Sequence, residues 1–491
     1  MAQEEGPLRV YILPFICPGH MIPLLDLATL LALRGVAVTI ITTPANEPLV
    51  LPTLHRSASL PHPIRLLLLP FPSSVHHLLP QDGQENLASI SSSSFHGLYD
   101  ATFALHLPLL DLLRPSPPDA LISDSIFSWS ADVARELGIP RLVFHGPGLF
   151  ALTVHDTIHL HSPHLSVSSD SEPFLVPGLP HRVELTKSEL PEPFLVPQSL
   201  DTKRDAEKNS FGIIVNTFFD LEPEYAEIYM KEPGRRTWLI GPVSVVHKDK
   251  NDLSNRGRDP DADPARLLSW LDAKPASSVL YVCFGSLCEF GDDQLNEIGA
   301  GLEASGHPFI WVVRRNLGES FSPRIEEIKR RVGIRGIIVH GWAPQVAVLG
   351  HPAVGGFMTH CGWNSTLEAV CAGVAMVAWP LFYEQYINQR LITDVLKIGV
   401  RVPGVGGNML LMGWKNDVVK AEEVARALER VMGKGEEAEG MRRRAREFGK
   451  KASAAMEEGG SSHGDLDRLI DELMACREDK GKKPEVVSSD V

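Results

Sequence analysis

At 491 residues the chain has room for two to four domains of about 150 residues each, and 44% hydrophobic residues give each the material for a core. Forty-seven Lys and Arg against 61 Asp and Glu leave a formal charge of −14, which repels nucleic acid and anionic lipid and excludes both as expected partners. No apolar run approaches the roughly 18 residues of a spanning helix, the six cysteines follow no metal or disulfide spacing, and Met1 to Gly6 carries no cationic stretch of a secretory signal. A soluble cytoplasmic monomer with free thiols is expected.

In chain order, Val10 to Phe15 reads as a short apolar strand, Cys17-Pro18-Gly19 as a turn, and His20 to Arg34 as a helix stopped by Gly35. A second strand follows at Val36 to Thr43. A helix so apolar belongs between layers, so this β-α-β unit predicts a doubly wound α/β domain with its sheet covered on both faces. Asp119 to Asp124, Ser130 to Leu137 and Arg141 to Phe144 continue the alternation, while Ser89 to Ser94 and Pro115 to Pro118 read as surface loops. The polar stretch 241–264 reads as a linker between domains. Strand and helix patterns then restart at Ser278 to Phe284 and run through Ala375 to Trp379. Helices are predicted over Ala421 to Met432, Glu436 to Glu457 and Asp465 to Cys476, and the tail from 479 to 491 reads as disordered.

The first strand-to-helix turn, CPGHM, has one glycine where a dinucleotide-binding GxGxxG needs three. GxxxxGK[ST] and GxSxG are also missing, which argues against a phosphate-loop NTPase and an α/β-hydrolase. The most informative stretch runs from Trp342 to Gln385. It sets His360-Cys361-Gly362-Trp363-Asn364-Ser365 between a strand and a helix, where helix-terminal N–H groups, the Asn364 and Ser365 side chains and a His360 donor make an anion cradle suited to a diphosphate. An exposed Trp342 can stack on a planar base, and Gln345 and Glu368 suit ribose hydroxyls. At the other end of the chain, His20 is an ionisable side chain near the start of the first helix, and taken alone it reads as a structural histidine.

Through this 44-residue segment, and through PGHMIPLLDLA, PDALISD, GIIVNTFFDLEPEY and VLYVCFGSL elsewhere, the chain resembles the plant UDP-dependent glycosyltransferases of family 1, with their secondary-product glycosyltransferase box. The resemblance implies two Rossmann-like domains facing across a cleft (the GT-B arrangement). An acceptor-binding domain would take residues 1–240 and a UDP-sugar-binding domain 265–455, with a helix at 456–478 packed back on the first domain. It implies Trp342 on uracil with the Ala343 backbone reading its edge, Gln345 and Glu368 on the ribose, and His360, Gly362, Asn364, Ser365 and Ser286 on the diphosphate. Glu384 and Gln385 would hold the sugar with help from Trp363, the terminal Gln favouring glucose. It assigns His20 as base and Asp124 as its partner acid, for inverting, metal-independent transfer from UDP-glucose to a hydroxyl of a small lipophilic plant metabolite such as a flavonoid, other phenolic, terpenoid or steroid. No permanent cofactor is implied. Gly19, Phe15, Ile126, His145, Phe150 and Tyr383 are the expected acceptor contacts.

Three features are read as decoys. His155, His159, His161 and His164 lack the HExxH glutamate and read as a polar loop, Asp261-Ala262-Asp263 as an acidic linker run, and Asn364-Ser365-Thr366 as an unused glycosylation sequon. Two departures from the family pattern, His145-Gly146-Pro147-Gly148 and Tyr383, bear on sugar and acceptor preference. A non-catalytic UDP-sugar-binding protein and, more remotely, a serine hydrolase are the rival readings.

Overall fold

The strands alternate with helices along nearly the whole chain, and their apolar runs are explained by a sheet buried on both faces. The computed structural model describes residues 6–80, 84–87, 95–191, 197–246, 256, 263–288, 290–314, 323–407 and 418–481. The loop expected at Ser89 to Ser94, most of the expected linker with Asp261 and Ala262, and the tail beyond 481 lie outside the described residues.

The first sheet uses β1 (Arg9–Leu13), β2 (Ala37–Thr42), β3 (Arg65–Leu68), β4 (Ala120–Asp124) and β5 (Arg141–His145). After a small antiparallel ribbon of β6 (Phe174–Val176) and β7 (Val183–Leu185) come its last strands, β8 (Gly212–Val215) and β9 (Thr237–Leu239). Its order is β3-β2-β1-β4-β5-β8-β9, parallel throughout. The second sheet takes β10 (Val279–Cys283), β11 (Phe309–Val313), β12 (Gly336–His340), β13 (Val354–Thr359), β14 (Ala375–Ala378) and β15 (Gly399–Arg401), ordered β12-β11-β10-β13-β14-β15 and again parallel. Two Rossmann-like sheets therefore make up the α/β fold.

Both sheets reverse their winding once, between β1 and β4 in the first and between β10 and β13 in the second. Crevices open at the carboxyl ends of such reversal points, because the connections on either side leave in opposite directions. The segment after β1 carries His20 and the end of β4 carries Asp124; the segments after β10 and β13 carry Ser286 and the His360–Ser365 turn. Topology alone thus brings together residues far apart in sequence.

The helix after β1, α1 (Pro18–Leu33), starts with proline at its first position, where the missing N–H costs nothing, and is buried along most of its length. Asp26 on it is also buried, and its carboxylate accepts from Arg256 Nε and Nη2 at 2.9 and 2.7 Å. The segment read as a histidine-bearing loop is largely helix. His155, His159 and His161 lie on α2 (Leu149–His161), whose buried half is supplied by the apolar run LFALTV. Trp379, read as core, is buried and packs edge-on against Phe284 and Phe290.

Candidate active site

A cavity of about 680 Å³ lies at the carboxyl ends of both sheets, and residues from both line it. On the first side, His20 stands in the first turn of α1, and its Nδ1 lies 2.8 Å from Asp124 Oδ2. Asp124 is buried at the end of β4, where its other oxygen accepts the Ile126 N–H at 3.0 Å. The carboxylate therefore fixes the imidazole's orientation and leaves Nε2 for the cavity. Burial lowers the His20 pKa, but the Asp124 charge, its hydrogen bond and the more distant Glu384 outweigh that and raise it above 6.5. Phe15 meets the ring edge-on at 5.3 Å. Phe15, Gly19, Ile126, His145 and Tyr383 line the cavity as expected of acceptor contacts.

Phe150 does not. It is fully buried on α2, edge-on to Tyr225 at 4.7 Å, because its position in the first turn of that helix turns it into the core. His145 is held on the cavity wall by Glu207, another lining residue, with Nε2 3.0 Å from its carboxylate.

On the second side, α3 (Trp363–Ala372) begins after a Gly362 cap, and its first-turn N–H groups have no helical carbonyl to bind. Two residues beside the cavity, Cys361 (φ 64°) and Tyr383 (φ 53°), adopt left-handed backbone, the kind of local strain that tightly shaped sites hold. His360 is half-buried, and desolvation draws its pKa down to about 4, so the ring is neutral near pH 7. Gln345 Nε2 donates to Ser365 Oγ at 2.9 Å and to Glu368 Oε2 at 2.8 Å, so this trio is preassembled, with Trp342 and Ala343 one turn before it. Ser286 lines the same end.

Glu384 also faces the cavity. Burial raises its carboxyl pKa, opposed by hydrogen bonds from backbone N–H groups, its own and that of Trp363, and by the His20 charge. Gln385 has its side-chain oxygen committed to the N–H groups of Leu381 and Phe382 at 2.9 and 3.2 Å, which leaves its amide nitrogen for a ligand. Two of the box residues bridge the halves: Trp363 Nε1 donates to the Asn216 carbonyl at 2.7 Å and Asn364 Nδ2 to the Gly19 carbonyl at 2.6 Å.

Comparison with known proteins follows the same lines. Residues 238–415 match the family model "UDP-glucoronosyl and UDP-glucosyl transferase". Scopoletin glucosyltransferase of Nicotiana tabacum is 43% identical over 95% of this chain and 98% of its own length. Anthocyanin 3'-O-beta-glucosyltransferase of Gentiana triflora is 40% identical over 95% and 98%. The chain belongs to the plant UDP-glycosyltransferases of family 1. Among solved structures, Glycyrrhiza uralensis UGT73P12 complexed with glycyrrhetinic acid 3-O-monoglucuronide superposes with a TM-score of 0.89, at 39% identity and 97% coverage of both chains. Arabidopsis thaliana UGT89C1 complexed with UDP-L-rhamnose gives 0.75, at 31% identity over 96% of this chain and 100% of that one.

Sequence reasoning missed two charged residues of this glycosyltransferase's site. Arg256, in the stretch read as linker, bonds to Glu368 as well as to Asp26, so it occupies the acid expected to meet the ribose. Lys203 comes from a segment too polar to signal anything but a surface helix. The structure also explains a glycine. Gly285, after β10, has φ +79°, and a Cβ there would lie 2.5 Å from His360 Nε2. Gly285→Ala in the transferase is expected to strain the backbone and displace His360, at a combined cost of about 1–3 kcal/mol. UDP titrations should show an affinity some 10- to 100-fold weaker.

Proposed function

We propose that the protein is an inverting glucosyltransferase that moves glucose from UDP-glucose to a hydroxyl of a small lipophilic plant metabolite, without a metal ion or permanent cofactor, as a cytoplasmic monomer. Residues 1–240 receive the acceptor and 265–455 the donor. The observation that carries this reading is the oriented His20–Asp124 pair, facing Glu384 and the α3 N-terminus across one cavity. His20 Nε2 takes the acceptor hydroxyl proton as that oxygen attacks the anomeric carbon, and the imidazolium is stabilised by Asp124. The bond to the diphosphate breaks with its electron pair on oxygen. The new charge is met by the N–H groups of α3, the Asn364 and Ser365 side chains, Ser286 and neutral His360. Attack opposite the leaving group inverts the centre, so an α-linked donor gives a β-glycoside.

In the donor half, Trp342 stacks on uracil, Ala343 reads its edge, and Gln345 with Glu368 takes the ribose hydroxyls once Arg256 yields its place. Glu384 and the Gln385 amide hold the sugar. The acceptors named for relatives, scopoletin and anthocyanin among them, are hydroxylated aromatic compounds, in keeping with a cavity wall that includes Phe15, Ile126 and Tyr383. Incubation with UDP-glucose, UDP-galactose, UDP-xylose and UDP-rhamnose, against phenolic, terpenoid and steroid acceptors with a chelator present, tests the reading by mass spectrometry. UDP binding without product from any pair would favour the non-catalytic alternative.

The base assignment predicts a pH profile. Catalysis needs neutral His20, so kcat/KM should fall as pH drops through a pKa above 6.5. In Asp124→Asn that acid limb should move to lower pH, because the charge that raised the pKa is gone. Its plateau should also fall roughly 10²-fold or more, through loss of ring orientation.

A further inference from the structure

The acceptor end of the cavity holds a cation that the transfer step does not use. The helix Pro197–Lys208 packs on β8 and turns Lys203, Arg204 and Glu207 to the cavity. It is tied to α2 by Arg204 with Asp156 at 2.8 Å and by His159 with Asp201 at 3.3 Å. Asp156 also takes Arg235 at 3.0 Å, and Glu207 takes His145 at 3.0 Å.

Lys203 is left over. Among the described residues it makes no ion pair and no hydrogen bond, and the two carboxylates whose field reaches it, Asp124 and Glu207, are engaged by His20 and His145. Burial draws its pKa below the usual lysine value against the pull of those two acids. His155 beside it is neutral, its pKa drawn down to about 4 by burial and by the His145 and Lys203 charges, so it offers no competing charge. A half-buried ammonium that faces a cavity without a counter-ion is unfavourable, and an anion entering the cavity relieves that. Phe15, Ile126 and Leu152 supply apolar wall here, and the other charged groups at this end, Arg204, Asp156 and Glu207, are already paired. Lys203 and His20 line the same cavity, so one ligand there can face both.

We propose that Lys203 is an anion-recognition residue of the acceptor pocket, and that the acceptors include lipophilic hydroxy acids whose carboxylate sits on Lys203 while the hydroxyl to be glycosylated lies against His20. The inference rests on the reading of this cavity as an acceptor site. The carboxylate is a handle and forms no bond; the proton and the sugar move at the hydroxyl, as above.

The test measures transfer from UDP-glucose to 4-hydroxybenzoic acid, 4-hydroxycinnamic acid and a hydroxylated triterpenoid acid, each beside its methyl ester. At least one acid should exceed its ester about tenfold or more in kcat/KM, chiefly through KM, and its product should be the glycoside. Lys203→Met should bring that acid-to-ester ratio towards one, while Lys203→Arg keeps most of it; a ratio within one preparation does not depend on the folded fraction. Ratios at or below one for all three pairs, a ratio unmoved by Lys203→Met, or a glucose ester as the product would overturn the proposal. If neither these nor neutral phenols yield product, the glucosyltransferase reading fails instead. Calorimetric binding of each acid and ester to wild type and Lys203→Met in the presence of UDP then decides the role of Lys203 alone, with no preference for the acid counting against it.

Discussion

Replacing His20 by alanine should lower kcat by about three orders of magnitude, within the range that a positioned general base contributes, and leave UDP affinity within about twofold. The split follows from geometry. His20 reaches the cavity from the first sheet, held by Asp124, while the groups assigned to UDP are carried by the second. Acceptors should differ in a predictable order, with phenols, whose hydroxyl pKa lies near 10, losing less than aliphatic alcohols because they need less help to ionise. Single-turnover kinetics on one phenol and one alcohol, with UDP titrations alongside, checks both parts. A loss confined to KM, or an equal loss of UDP binding, would remove His20 from the role of base.

The second large effect is expected at Glu368. This buried carboxylate accepts from Gln345 and from Arg256, and Glu368→Ala removes the partner of both. Two charge-assisted hydrogen bonds to ribose hydroxyls are worth about 1.5–3 kcal/mol each before partial compensation, so UDP affinity should weaken some 100-fold. Glu368→Gln, which keeps the shape and one acceptor, should lose roughly tenfold. Calorimetry reads the affinity, and a melting curve on the same samples separates it from unfolding. Transfer at saturating donor should be far less affected than affinity, since the ribose lies away from the reacting bond.

Much of this site could be read in the sequence because its donor half is nearly contiguous. Trp342 to Gln385 holds strand, turn and helix in one run, and the apolar strand followed by a polar, glycine-containing turn marks where β13 meets α3. His20 and Asp124 were legible for a related reason, since Asp124 closes a strong apolar strand and His20 opens the helix that follows another. What stayed hidden depends on tertiary placement of polar residues. In the stretch from 197 to 208 the charges make a surface helix the natural reading, yet Lys203 and Glu207 face inward over the cavity. Arg256 sits in a polar stretch, and only the fold shows it between Asp26 and Glu368. Phe150 erred the other way: an aromatic next to a site-forming loop is turned into the core by the helix that begins there. Edge strand β3 is misleading in another way, since its run of leucines suggests a core strand and yet none of its four residues is fully buried.

The last described helix, Ser461–Gly481, lays Leu466, Leu469 and Leu473 against the core that holds Val10, Ile12 and Trp238. Asp465 accepts the Leu239 N–H at 2.7 Å, and Arg477 donates to the Gly6 carbonyl at 2.9 Å. Strands from the start of the sequence are therefore covered by a helix more than 400 residues further on. Until residues 461–481 have been made, that apolar groove of the first sheet stays bare, a surface of the kind that favours aggregation. A truncation before residue 461 would spare every donor and catalytic group named above and still leave the protein unable to close its first core.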